Sequence, residues 1–123
     1  MMDKTQEEQN LDNKLLITQA INYKNLGYTN IKVNNKNCLP GQPNKVGGYI
    51  PDLSVVFDDE TTLCEVVTND SMNETEMIKR WKMLSRSGYD FHMIIPKKSF
   101  NEVKELAKSN GINVNKYWYS KNC

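Results

Sequence analysis

The chain has 123 residues, and 16 Lys and Arg against 15 Asp and Glu leave a net charge of +1. That length predicts one domain with a core of its own, and the even balance excludes an electrostatic tail while leaving room for a local basic face. No apolar run approaches the roughly 18 residues of a membrane span, and three cysteines without a CxxC, beside a single histidine, argue against a disulfide scaffold or structural zinc. A reducing cytoplasm is the predicted compartment.

Met1–Asn10 is polar, mixed in charge and unlike a signal peptide, so it reads as a flexible lead-in. From Leu11 the apolar residues Leu15, Leu16, Ala20, Tyr23 and Leu26 fall on one arc of a helix, which Ile17 and Ile21 widen. Such a wide arc predicts cover on more than one side. Gly27 is the stop. Tyr28–Val33 is a short strand. Asn34–Gly48, with its prolines and glycines, is a long loop.

Tyr49–Phe57 alternates as a strand, with Leu53, Val55 and Phe57 on one face and Asp52, Ser54 and Val56 on the other. Asp58-Asp59-Glu60 is a tight turn, and Thr61–Thr68 returns as the partner strand. Ser71-x-x-Glu74 and Asn73-x-x-Glu76 are overlapping capping boxes. They open a helix that carries Met77, Ile78, Trp81 and Leu84 on one face. After Gly88, Asp90–Pro96 is nearly all apolar, as in a strand buried on both faces. Ser99 caps a third helix, which Asn110-Gly111 ends. Ile112–Tyr119 is the last strand, and Ser120–Cys123 is tail.

The order is α-β-β-β-α-β-α-β. The central hairpin and the later crossovers predict a single α/β domain over 11–119, with a mixed sheet flanked by helices.

Two acids stand out. Asp52 and Glu65 sit inside otherwise apolar strands, where a carboxylate needs a partner or a task. Hairpin pairing places them on neighbouring strands and one face. Two converging carboxylates suit Mg²⁺, which takes one or two of them, keeps waters and binds substrate phosphate. Cys64 points away from Glu65, into the core.

Pro51-Asp52, with Glu65 thirteen residues on, resembles the PD-(D/E)XK restriction-endonuclease-like superfamily. The likeness runs from about Leu11 to Tyr119. Gly27-Tyr28, Gly47-Gly48-Tyr49-Ile50-Pro51-Asp52, Glu65-Val66-x-Thr68, Trp81 and Phe91-His92 through Ile95-Pro96 resemble small prokaryotic members of that group. The size and architecture also resemble archaeal Holliday-junction resolvases. The resemblance implies a restriction-endonuclease-like fold and a Mg²⁺- or Mn²⁺-dependent endonuclease. Asp52 and Glu65 would be its metal ligands and catalytic acids. Its partner would be nucleic acid, DNA before RNA. The chain would act without a membrane and in an arrangement that admits a homodimer.

One position departs from that pattern. The residue two after Glu65, usually Lys in the superfamily, is Val67, which can neither bind metal nor move a proton, and Asn69 follows it. Lys79, Lys82 and Lys45 are the candidates for a migrated lysine, with Lys79 as the catalytic choice. Lys79, Lys82 and Arg86 lie within about 60° on one side of their helix, a stripe suited to phosphates along with Lys45. A solvated helix face is the commoner reading of such a stripe. If Val67 has ended catalysis, the alternative is a non-catalytic module of the same fold that binds nucleic acid or a protein. His92 reads as a packed histidine, and Tyr117-Trp118-Tyr119 as strand aromatics packed on helices rather than a base-stacking platform.

Overall fold

The computed structural model describes residues 6–34, 42–67 and 74–120. The elements are α1 (Gln6–Asn25), β1 (Thr29–Val33), β2 (Leu53–Phe57), β3 (Glu60–Val66), α2 (Glu74–Ser85), β4 (Asp90–Pro96), α3 (Phe100–Ser109) and β5 (Lys116–Ser120), with a single 3-10 turn, Lys97–Ser99, ahead of α3. This is the α/β order read from the sequence. Cys38, Cys123, Asn69 and the capping residues Ser71 and Asn73 lie outside the described residues.

The strands form one five-stranded sheet in the order β1-β2-β3-β4-β5. β1, β2 and β3 pair antiparallel, and β3, β4 and β5 pair parallel. Side chains alternate between the faces, so each strand feeds two cores. On one face α1 sets Leu16 and Tyr23 against Leu53, Val55, Cys64 and Ile94. On the other, Trp81 and Leu84 of α2 and Ala107 of α3 pack on Leu63, Val67, Phe91, Met93 and Ile95. β4 lies between β3 and β5 with helices on both faces, which is why Phe91–Pro96 is buried at every position and reads as an unbroken apolar run.

Local chemistry sets the boundaries. α1 ends in a Schellman motif: Tyr28 N–H donates to Tyr23 O and Gly27 N–H to Lys24 O, with Gly27 at φ +98°. The β2–β3 turn is a two-residue loop, with Phe57 paired to Glu60. Its central residues, Asp58 and Asp59, both have positive φ (52° and 65°), the type I′ signature that matches strand twist.

Several expectations shift. α1 begins at Gln6, inside the expected lead-in. Ile17 and Ile21 are exposed, so the wide apolar arc is not covered on a second side. Gln19 is buried instead. β2 begins at Leu53 rather than Tyr49, since Pro51 has no N–H and the Asp52 N–H is used by a side chain across the hairpin. Within the expected long loop, Val46 and Tyr49 exchange backbone hydrogen bonds around Gly47-Gly48. The glycines' positive φ values of 57° and 90° make this a second I′ turn, which rests on Met83 of α2. No helix among the described residues is long and apolar enough to cross a membrane.

Candidate functional site

The register brings Asp52 and Glu65 together. Leu53 pairs with Cys64, so Asp52 and Glu65 are the next facing residues along the hairpin. They lie on the face opposite Cys64 and at the carboxyl end of β3, the edge where open α/β sheets bind their ligands. The two acids are tied reciprocally. Asp52 N–H donates to Glu65 Oε2 at 2.9 Å, and Val66 N–H donates to Asp52 Oδ2 at 2.9 Å. These bonds hold both carboxylates in place from the backbone.

The cation between them is Arg80. Its Nε donates to Glu65 Oε1, and its Nη2 donates to Glu65 Oε2 at 3.1 Å and to the Ile50 carbonyl. The same Nη2 is 3.7 Å from Asp52 Oδ1. The guanidinium carbon also lies 5.9 Å from the centre of the Tyr49 ring. A planar fork suits this two-pronged grip on a carboxylate better than an ammonium does. Burial works against the Arg80 charge. The hydrogen bonds and charge of Glu65, with Asp52 behind them, more than offset it and hold the guanidinium above its ordinary pKa. Exposure divides the trio: the Glu65 side chain is 3% accessible, against 29% for Asp52 and 21% for Arg80.

Asp52 and Glu65 thus converge as the sequence suggested. Lys79 does not occupy the third corner; its neighbour Arg80 does. A helical step of about 100° turns Lys79 outward, where it is exposed. Lys82 is half-buried and Arg86 exposed on that outer side of α2, and Lys45 is exposed beside the Gly47-Gly48 turn. Val67 shares the Glu65 face but is buried in the apolar cluster with Trp81, so a lysine there would be driven into the core. Arg80 had a readable signal. It lies three residues after Met77 and four before Leu84, which puts a cation on the apolar arc of an amphipathic helix.

Two carboxylates are the oxygen donors a hard divalent cation takes, but both Glu65 oxygens already accept from Arg80 and the Asp52 N–H, so a cation here would have to share or displace the contacts of the guanidinium. The Arg80 guanidinium stands where positive charge is needed, as a protein-borne counter-ion. No group of three or more acidic, His or Cys side chains that could hold a metal occurs among the described residues.

A second polar cluster lies on the α1 face. Tyr23 OH is 2.6 Å from His92 Nδ1, and Trp118 Nε1–H donates to Tyr23 OH at 3.1 Å. Burial lowers the His92 pKa to about 4, so the ring is neutral at pH 7, and its Nδ1 accepts a hydrogen bond from the Tyr23 hydroxyl. Burial likewise pushes the Cys64 thiol up, which makes it an inert core residue. These groups serve packing, in line with the reading of His92 as a packed histidine.

No family model matches this chain, and no curated protein or solved structure is significantly similar to it. A fold does not specify a function, so the acid pair and its surroundings carry the functional reading.

Proposed function

We propose that this chain acts on nucleic acid as a divalent-cation-dependent phosphodiester hydrolase of the restriction-endonuclease-like kind. The observation that carries the reading is the Asp52–Glu65–Arg80 constellation at the carboxyl edge of β3. Asp52 and Glu65 would hold Mg²⁺ or Mn²⁺, which supplies a lowered water pKa and polarises the phosphate. Asp52, the more exposed acid, faces the solvent side where substrate arrives. Glu65 is fixed by Asp52 N–H and by the fork of α2. Arg80 takes the place of the absent lysine. Once a phosphate is present, its guanidinium can donate to a non-bridging oxygen and offset the charge that builds up as water attacks phosphorus and the ester oxygen leaves. Arginine cannot act as a base, so the water loses its proton to solvent or to a substrate oxygen. That predicts a slow enzyme. A buried free thiol at Cys64 suits the cytoplasm as the place of action.

One observation favours the second reading, a non-catalytic module that binds nucleic acid or a protein. The two oxygens of Glu65 already accept three hydrogen bonds, so the trio is closed without any metal.

Mn²⁺ titration followed by thermal melting, with plasmid, branched duplex and RNA as cleavage substrates, separates the two. A catalytic site gives a Tm that rises with Mn²⁺, together with Mn²⁺-dependent nicking, and Asp52→Asn removes both. Absence of both in the wild type leaves the binding module.

A further inference from the structure

Among the described residues, the face that carries the acids is not fully covered. α2 and α3 roof β3, β4 and β5, but over β1 and β2 the sheet is left with an open groove of about 120 Å³. Its floor is Ser54, Val56 and Leu63. Ser54 and Val56 follow Asp52, and Leu63 precedes Glu65, in steps of two along the hairpin, so the groove starts about 7 Å from the acid pair on the same face. That is a separation one nucleotide spans. Its rim is polar and aromatic: Asn30 and Lys32 from β1, Asn44 from the loop before β2, and Tyr89 ahead of β4.

Two features of the rim suit a ligand. Asn30 has φ +51° at a register break in β1, between Thr29 and Lys32. An extra residue in a ladder turns a side chain out of its regular direction, and such bulges gather beside binding sites. Tyr89 is 46% exposed, so much of its ring is available for stacking. Lys32 faces Ser54, in the row nearest the acids.

Resting on the reading above, we propose that this groove binds the nucleotide next to the scissile phosphate in a single strand of nucleic acid. Lys32 takes its phosphate, the Tyr89 ring stacks on its base, and Asn30 and Asn44 hydrogen-bond the base edge. The Lys79, Lys82 and Arg86 stripe is the wrong surface for this task, because it lies on the outer side of α2 while the groove shares the acid face. Charge, an aromatic platform and amide donors in one trough make the combination that single-strand sites use.

The test is fluorescence anisotropy with a fluorescein-labelled single-stranded oligodeoxynucleotide at low salt in EDTA, with the ribo-oligonucleotide as a second arm. Wild type, Lys32→Glu, Tyr89→Ala and the double variant Lys79→Glu/Arg86→Glu are compared, each checked for an unchanged melting curve. Tyr89 is exposed, so its truncation keeps the test valid should Lys32→Glu unfold. Tyr89→Ala should weaken binding roughly 5- to 150-fold, the range that loss of one stacked base produces. Lys32→Glu should weaken it at least about tenfold and flatten the salt dependence. The α2 double variant should change it less than about threefold. Three outcomes overturn the groove: no binding by wild type, loss of binding only in the α2 variant, or undiminished binding in both groove variants. If the groove variants lose binding but Mn²⁺ neither stabilises nor activates the protein, the groove stands and catalysis falls. If Mn²⁺-dependent cleavage persists unchanged in the groove variants, catalysis stands and the groove falls.

Discussion

Arg80→Met tests the trio at its contact with the most buried member, Glu65. The substitution keeps an unbranched chain of similar reach and removes the charge. Glu65, 3% accessible, would lose every contact Arg80 makes to it and keep only the Asp52 N–H. Removing one partner of a buried pair strands the other charge and costs about 3–5 kcal/mol. For a urea m-value of about 2 kcal/mol/M, the midpoint should fall by about 2 M at pH 7. Glu65→Gln/Arg80→Met, which leaves no unpaired charge, should recover most of the loss. A deficit below about 1 kcal/mol would show that the trio behaves as an ordinary surface pair. A double variant no better than Arg80→Met would also defeat the reasoning.

Three further outcomes are expected. His92 has its pKa depressed from 6.5 to about 4 by burial, so the unfolded chain binds a proton that the folded one refuses. Its contribution is complete above pH 6.5 and is lost as pH falls toward 4, on the order of 3 kcal/mol, and His92→Gln should flatten the pH dependence of urea unfolding over that window. Trp81→Ala empties the core beneath α2, where Trp81 is 2% accessible, and should cost about 3–5 kcal/mol by denaturant unfolding; an unchanged midpoint would mean that α2 presents a different face to the sheet. Asp58→Asn with Asp59→Gly gives the type I′ turn its preferred residues at two positions of positive φ and should raise stability by about 0.5 kcal/mol; a loss would show that the aspartates make contacts that matter more than backbone strain.

The order of elements, the double burial of β4 and the shared face of Asp52 and Glu65 were legible from the chain alone. They follow from local rules: side chains alternate along a strand, and a hairpin fixes which residues stand opposite. Position 67 could likewise be placed on the acid face by counting. What counting could not supply was the neighbour across the fold. Whether Val67 meets solvent or Trp81 depends on how α2 lies on the sheet. The same docking decides that Arg80, rather than Lys79, reaches the carboxylates. A single residue's rotation about a helix axis separates a buried counter-ion from a solvated lysine, and only packing sets that phase. Gln19 on the buried arc of α1 and Arg80 on that of α2 were both visible as polar residues out of pattern. The partners of Arg80, the carboxylates of Asp52 and Glu65, lie at the β2–β3 hairpin, so the reason for its burial is written in tertiary contacts. The groove over β1 and β2 is of the same kind, since among the described residues the two helices α2 and α3 cover only the half of that sheet face over β3, β4 and β5.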